Sequence, residues 1–187
     1  MSQCVNRPLP LTEQLLAARR KVRQSLEQPL VDTSDSATEI LDAFTVLFTV
    51  MPDAFIVGRV RSLYDTYKTH AHPGYVYVFW DKNDPPDTVK IGMTRRRPRR
   101  RVQEWRRLLV DKDSDVTLIF SFWCANAMLA EQIVHTLLMC NRSELRVLRA
   151  QNRVLNEFFV IPAPVGLEHL RMLIDETCRQ INYFFID

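Results

Sequence analysis

The chain has 187 residues, of which 47% are hydrophobic and 10% aromatic, and its formal net charge at pH 7 is +3. A chain of this length and apolar content can bury a sizeable core, which excludes an intrinsically disordered protein. The longest apolar run, at residues 43–51, is too short and too interrupted by threonine to cross a bilayer. We therefore expect a soluble protein with no membrane partner.

The four cysteines, Cys4, Cys124, Cys140 and Cys178, are far apart and form no C-x-x-C pair. This spacing gives no zinc-ligand pattern, and the N-terminus lacks the charged and apolar regions of a secretory signal. We expect reduced thiols, mostly buried, in a reducing intracellular compartment, either the cytoplasm or the nucleus.

Helical patterns fill the first third of the chain. Apolar residues recur at helical spacing over about 11–26 and again over about 37–50, where Ser34-Asp35-Ser36 supplies capping side chains. Pro52 ends the second helix and allows a third at about 53–69. His72-Pro73-Gly74 then favours a boundary, so residues 1–72 are predicted to form an N-terminal helical extension.

After this boundary the apolar period changes. Strands are predicted at 75–80, 88–93 and 116–123, since these runs are rich in β-branched and aromatic residues. Helices are predicted at about 98–109, with Val102, Trp105 and Leu108–Leu109 facing inward, at 125–140 and at 166–184. Residues 141–152 are expected to be partly helical, and 158–161 are compatible with one more short strand. The fold class is therefore α+β: a three-stranded antiparallel sheet flanked by helices.

Five motifs in this order resemble the GIY-YIG nuclease superfamily. They are Gly74-Tyr75-Val76-Tyr77, Lys90-Ile91-Gly92-Met93-Thr94, Arg101-Val102-Gln103-Glu104-Trp105, Ala130-Glu131-Gln132-Ile133-Val134-His135 and Asn156-Glu157-Phe158-Phe159. In a viral and fungal branch of that family, Lys-Ile-Gly commonly replaces Tyr-Ile-Gly, as it does here. The resemblance implies a nuclease-like domain over residues 73–161, with 162–187 as a C-terminal helix packed on it.

The resemblance also implies roles for individual residues. Tyr77 would act on the attacking water as general base or proton relay, which is demanding for a phenol that ordinarily ionises near pH ~10. Glu131 would hold Mg²⁺ or Mn²⁺ through hard oxygen ligands. An arginine would bind the scissile phosphate as a planar, bidentate donor. The family spacing from Gly92 points to Arg100, whereas the neighbouring apolar Val102 points to Arg101, which we prefer.

Lys90 departs from the family pattern, because it replaces the second signature tyrosine. An ammonium group cannot act as a phenolic base, but it can bind phosphate or support Tyr77. Strand alternation puts Lys90 on the same face as Gly92, directed towards the cleft. His135 follows Glu131 by four residues on one helical face and is a further candidate for the site.

Each candidate also has a structural interpretation. Tyr77 is compatible with a buried strand tyrosine, and Glu131 with the solvated face of its helix. His135 is compatible with a hydrogen-bonded structural histidine. Asn156 and Glu157 either line the cleft or merely end a loop.

The arginine cluster predicts a nucleic-acid surface that contacts DNA through backbone phosphates. Its members are Arg95, Arg96, Arg97, Arg99, Arg100, Arg106 and Arg107. An acidic protein partner is the alternative ligand for such a surface.

The first hypothesis is a metal-dependent DNA endonuclease with Tyr77, Lys90, Arg101, Glu131 and His135 in its cleft. The second is a protein of the same fold without cleavage, which binds nucleic acid or has a structural role, for example in a virion. The third is a regulatory DNA-binding protein. In the second, the helical extensions mediate homo-oligomer or viral assembly contacts.

Overall fold

A computed structural model describes residues 36–85, 87–108, 115–143, 146–148, 153–155, 157–161 and 166–185. The helix predicted at 11–26 lies outside these residues, as does Leu109. Most of the remaining predicted elements are observed, with boundaries shifted by a few residues.

The central sheet has four antiparallel strands. In chain order they are β1 (Gly74–Asp81), β2 (Thr88–Thr94), β3 (Val116–Cys124) and, near the end of the domain, β6 (Phe158–Val160). Their spatial order is β3-β1-β2-β6, so β1 is central and β6 lies at one edge. The sheet therefore has one strand more than the three predicted, and this strand lies in the run at 158–161 that is compatible with a strand. A strand of three residues is too short for a clear alternation of apolar and polar positions, so its place in the sheet could not be predicted.

A second antiparallel pair contains β4 (Arg146–Leu148) and β5 (Arg153–Leu155). The partly helical structure expected for 141–152 was therefore wrong at 146–148, while a single 3-10 turn at Met139–Asn141 reaches its first residue. Residues 144–145 and 149–152 lie outside the described part of the chain. Each strand is Arg-Val-Leu, and Val147 pairs with Val154 in the register. A β-branched residue at the centre of each strand favours the extended backbone.

Five helices are described: α1 (Ser36–Phe48), α2 (Ala54–Tyr67), α3 (Pro98–Leu108), α4 (Ala127–Leu137) and α5 (Gly166–Tyr183). The side chain of Asp53 accepts from the backbone N–H of Ile56 at 2.8 Å and so caps α2. Asn126 caps α4 in the same way through Leu129. Within the described residues, none of the helices combines the length and apolar character needed to cross a bilayer.

The two faces of the sheet carry cores of different size. On one face, α3 covers a small cluster of Tyr77, Phe79, Val102, Trp105, Val116 and Phe158. The opposite face carries Val76, Val78, Val89 and Ile91, and it packs in one large core with residues of α1, α2, α4 and α5. Alternation along β1 and β2 separates the two faces. A side chain from α3 and one from α4 can therefore meet only at a strand edge.

Candidate active site

The candidate site lies at the edge of β2, beyond the point where β6 stops pairing. The register of β6 on β2 ends with Lys90 opposite Phe158. Beyond that pair, none of the described strands pairs with the outward backbone groups of Ile91 and Met93. Buried backbone N–H and C=O groups need partners, so other groups must supply them here.

Two side chains of α4 supply partners for this edge. The carboxylate of Glu131 accepts from the N–H of Met93 at 2.8 Å. The Nε2 of His135 lies 3.1 Å from the carbonyl oxygen of Ile91, which can only accept, so Nε2 carries the proton and donates. The N–H of Ile91 itself donates to the carbonyl of Glu157 at 3.0 Å. Glu131 and His135 therefore have structural partners as well as predicted site roles.

Gly92 leaves room for the polar groups on the α3 face of the sheet. It is the register partner of Tyr77 across β1 and β2. A Cβ built on Gly92 would lie 2.8 Å from the hydroxyl oxygen of Tyr77 and 2.9 Å from Nζ of Lys90. Both distances are shorter than ordinary non-bonded contacts. Any larger residue would displace these two groups, so the glycine brings the hydroxyl and the ammonium together.

The hydroxyl oxygen of Tyr77 has a donor and a cation beside it. The indole N–H of Trp105 donates to it at 3.0 Å, and the guanidinium of Arg101 lies near enough to Tyr77 to interact with it electrostatically. Arg101 donates to Glu104 at 2.8 Å. Partial burial disfavours its charge, but these two partners keep the pKa of Arg101 above its usual value. Arg100, the other candidate, is exposed.

Lys90 is buried and forms an ion pair with Glu157. Its Nζ lies 4.6 Å from the ring centroid of Trp105 and 5.6 Å from that of Tyr77, close enough for cation–π attraction. The sequence predicted that Lys90 faces this side but left Glu157 open and assigned Trp105 only to the core. The closing Asn-Glu-Phe-Phe motif was the available signal for Glu157.

Burial and charge perturb both titratable groups of α4. Burial raises the pKa of Glu131 to about 7, and the nearby carboxylate of Glu157 adds to the rise, while Lys90 and the Met93 N–H oppose it. Burial lowers the pKa of His135 to about 4, against the hydrogen bond to Ile91. At neutral pH, His135 is therefore an uncharged hydrogen-bond donor, and the carboxyl group of Glu131 is only partly ionised.

This donor set fits a divalent cation at Glu131. The carboxylate is partly buried beside a second carboxylate, so a cation would remove the repulsion that raises its pKa. In the described part of the chain, no three His, Cys, Asp or Glu side chains cluster as ligands. A single protein carboxylate suits Mg²⁺ or Mn²⁺, since Mg²⁺ usually keeps several of its waters.

The arginines of the predicted nucleic-acid surface differ in whether their side chains already have partners within the protein. Arg106 donates twice to the carbonyl of Val116, at 2.9 and 2.6 Å, and so joins α3 to β3. Arg96 pairs with Glu104, and Arg95 contacts His72. Among described residues, the remaining four side chains have no ion-pair or hydrogen-bond partner: Arg97, Arg99, Arg100 and Arg107. These four stay available for an anionic ligand.

The two perturbed pKa values predict opposite pH effects on stability. Glu131 binds its proton more tightly in the folded state, so its contribution falls as pH rises from about 4.5 to about 7. His135 binds its proton less tightly when folded, so its contribution falls as pH drops from 6.5 to about 4. Relative to the unmodified protein, Glu131→Gln should gain stability as pH rises, and His135→Gln as pH falls, by up to ~1.4 kcal/mol per pH unit.

Urea unfolding at several pH values, with a chelator present, measures these differences. Both variants keep the hydrogen bonds at the edge of β2, since the glutamine at position 131 can accept from the N–H of Met93 and the one at position 135 can donate to the carbonyl of Ile91. Differences of the same sign for the two variants would contradict the assignment.

Comparison with known protein families matches residues 74–178 to the T5orf172 domain. The matched segment begins at the first residue of β1 and extends into α5, so α1 and α2 lie outside it. No curated protein and no solved structure matches the chain.

Proposed function

The chain belongs to the T5orf172 domain family, whose domain is of the endonuclease type, and on that basis we propose that it is a metal-dependent DNA endonuclease of the GIY-YIG kind. The proposed reaction is hydrolysis of a phosphodiester bond in DNA. The alternative is a protein of this fold without cleavage.

One observation carries the proposal: groups of four different chemistries meet around Gly92 and Met93. Tyr77 and Lys90 lie over Gly92, and Glu131 accepts from the adjacent N–H of Met93. Arg101 lies near Tyr77 on the α3 side. A phosphodiester hydrolase needs a proton acceptor, a cation ligand and a phosphate-binding cation in one place. Packing of the individual helices and strands into the core does not by itself require these groups to lie together.

In the proposed mechanism, the oxygen of Tyr77 takes up the proton of the attacking water, as general base or as relay. The Trp105 N–H and the Arg101 guanidinium stabilise negative charge on that oxygen. Arg101 also binds the non-bridging oxygens of the scissile phosphate, where its planar fork matches two acceptors. The divalent cation, when bound, supplies charge neutralisation at the phosphate.

Glu131 would hold this cation, while the hydrogen bond from the N–H of Met93 fixes its carboxylate against β2. His135 keeps the α4 side of the edge in place through Ile91, so we assign it a positioning role. Lys90 adds positive charge beside Tyr77. The exposed arginines of α3 and the turn before it bind the DNA backbone, without reading bases.

The test is nicking of supercoiled plasmid by purified protein with Mg²⁺ or Mn²⁺, beside Glu131→Gln. The amide still accepts from Met93, so the fold is kept, but it removes the charge that holds the cation. We expect nicking to require the cation and to fall about 100-fold in the variant, as for loss of a metal's charge stabilisation worth several kcal/mol.

Glu168→Gln is the matched control, because Glu168 is an exposed helical glutamate paired with Arg171. It should nick like the unmodified protein. If no protein nicks over a range of salt and cation concentrations, or if Glu131→Gln nicks normally, the proposed catalysis is wrong.

The Lys90–Glu157 ion pair favours the second candidate, a DNA-binding protein of this fold without cleavage. It neutralises part of the site internally, in the place where the family pattern has a phenol. In that case DNA binding through the α3 arginines persists, and neither Mg²⁺ nor Mn²⁺ produces nicks. Measuring binding and nicking on the same preparation distinguishes the two functions.

A further inference from the structure

A polar cavity of about 420 Å³ opens between α2 and α4, away from the arginines of α3. Its lining includes Arg59, Ser62 and Thr66 from α2, Gln132 and His135 from α4, and Arg142 after the 3-10 turn. Among the described residues, the lining contains two arginines and no acidic residue. Its chemistry therefore suits an anionic ligand.

Both guanidinium groups are available to such a ligand. Arg59 and Arg142 are exposed, and within the described part of the chain neither side chain forms an ion pair or a hydrogen bond. Ser62 and Thr66 follow Arg59 at helical spacing, so their hydroxyls share its face of α2. Arginine and hydroxyl donors together match the oxygens of a phosphate.

The cavity borders the candidate active site. His135 lines it and also donates to Ile91 at the edge of β2. Arg142 forms a backbone bridge with Phe159, two residues from Glu157. The cavity and the candidate site therefore share His135, so a strand bound at one can extend into the other.

We propose that Arg59 and Arg142 bind backbone phosphates of the DNA on the far side of the scissile bond from the α3 arginines. The inference rests on the proposed function and adds a second DNA-binding subsite to it. It also gives α2 a role in substrate binding, although α2 precedes the matched segment 74–178. The site thereby uses α2, which belongs to the N-terminal helical extension.

The test is duplex binding at several KCl concentrations, with a chelator to prevent cleavage, for Arg59→Gln, Arg142→Gln and Arg61→Gln. Arg61 lies on the same helix, contacts Thr38 and does not line the cavity, so it controls for loss of one charge. We expect the first two variants to weaken binding several-fold and to reduce the salt slope of log K by about 0.9 per lost contact. Arg61→Gln should leave the slope unchanged.

If Arg59→Gln and Arg142→Gln behave like Arg61→Gln while the unmodified protein binds and nicks DNA, the subsite is wrong and the proposed function stands. If the unmodified protein binds no DNA, both fail. Calorimetric titration with inorganic phosphate tests whether the cavity binds a free phosphate anion rather than the phosphates of a DNA backbone. Phosphate binding that needs Arg142, without an Arg142 effect on duplex affinity, would overturn the proposal.

Discussion

Replacing Tyr77 with phenylalanine should reduce plasmid nicking about 1,000-fold, within the ~10²–10⁴ range of general acid–base catalysis. The change removes only the hydroxyl over Gly92, which is the proposed proton acceptor. The ring and its stacking on Phe79 remain. DNA affinity should stay within about threefold, because phosphate binding is assigned to arginines. Nicking rates and duplex affinity are measured on the same preparation.

The same substitution also has a structural cost. The Trp105 N–H loses its acceptor in a buried cluster, which should lower the free energy of unfolding by ~1–3 kcal/mol. Tyr64→Phe is the matched control, since Tyr64 is a buried tyrosine on α2 whose hydroxyl faces the carbonyl of Gln180. It should lose some stability and no nicking activity. Normal nicking by folded Tyr77→Phe would remove Tyr77 from the mechanism.

Substituting Lys90 and substituting Glu157 should change the free energy of unfolding by very different amounts, although either change breaks the same ion pair. The side chain of Lys90 is 1% exposed, whereas that of Glu157 is 38% exposed. Glu157→Gln leaves a buried ammonium without its counter-charge and should cost about 3 kcal/mol of unfolding free energy. Lys90→Met leaves a carboxylate that water can reach, and should cost about 1 kcal/mol or less.

The double variant Lys90→Met with Glu157→Gln tests the cause of this asymmetry. Because it removes the buried charge, it should be more stable than Glu157→Gln alone. Urea unfolding of all four proteins at pH 7 gives the coupling free energy. Equal losses from the two single variants, or a double variant weaker than either, would show that the buried ammonium does not dominate the energy.

The interpretation of the second motif also depends on these variants. If Lys90→Met nicks DNA at the normal rate, the lysine supports the fold rather than the reaction. If its nicking falls while stability is kept, its positive charge acts on Tyr77 or on the phosphate. The stability and nicking measurements together thus separate the two roles that the sequence left open for Lys90.

The sequence alone predicted elements whose periodicity is local. Alternation along β2 put Lys90 and Gly92 on one face, and helical spacing put Glu131 and His135 on one face of α4. Burial of Val102 and Trp105 fixed the rotation of α3, which brings Arg101 rather than Arg100 towards Tyr77. Side-chain direction within one element follows from its backbone period, so no tertiary information was needed.

Only the tertiary structure decided which of these groups meet and what partners they have. The Trp105–Tyr77 hydrogen bond spans 28 positions, and the Lys90–Glu157 pair spans 67. The Lys90–Glu157 pair depends on β6 pairing with β2 and ending at Phe158, which also opens the edge for Glu131 and His135. A three-residue strand carries too little pattern to be predicted with its register. The residue types of the site could therefore be predicted from the sequence one by one, whereas their positions relative to one another depend on the packing of the sheet.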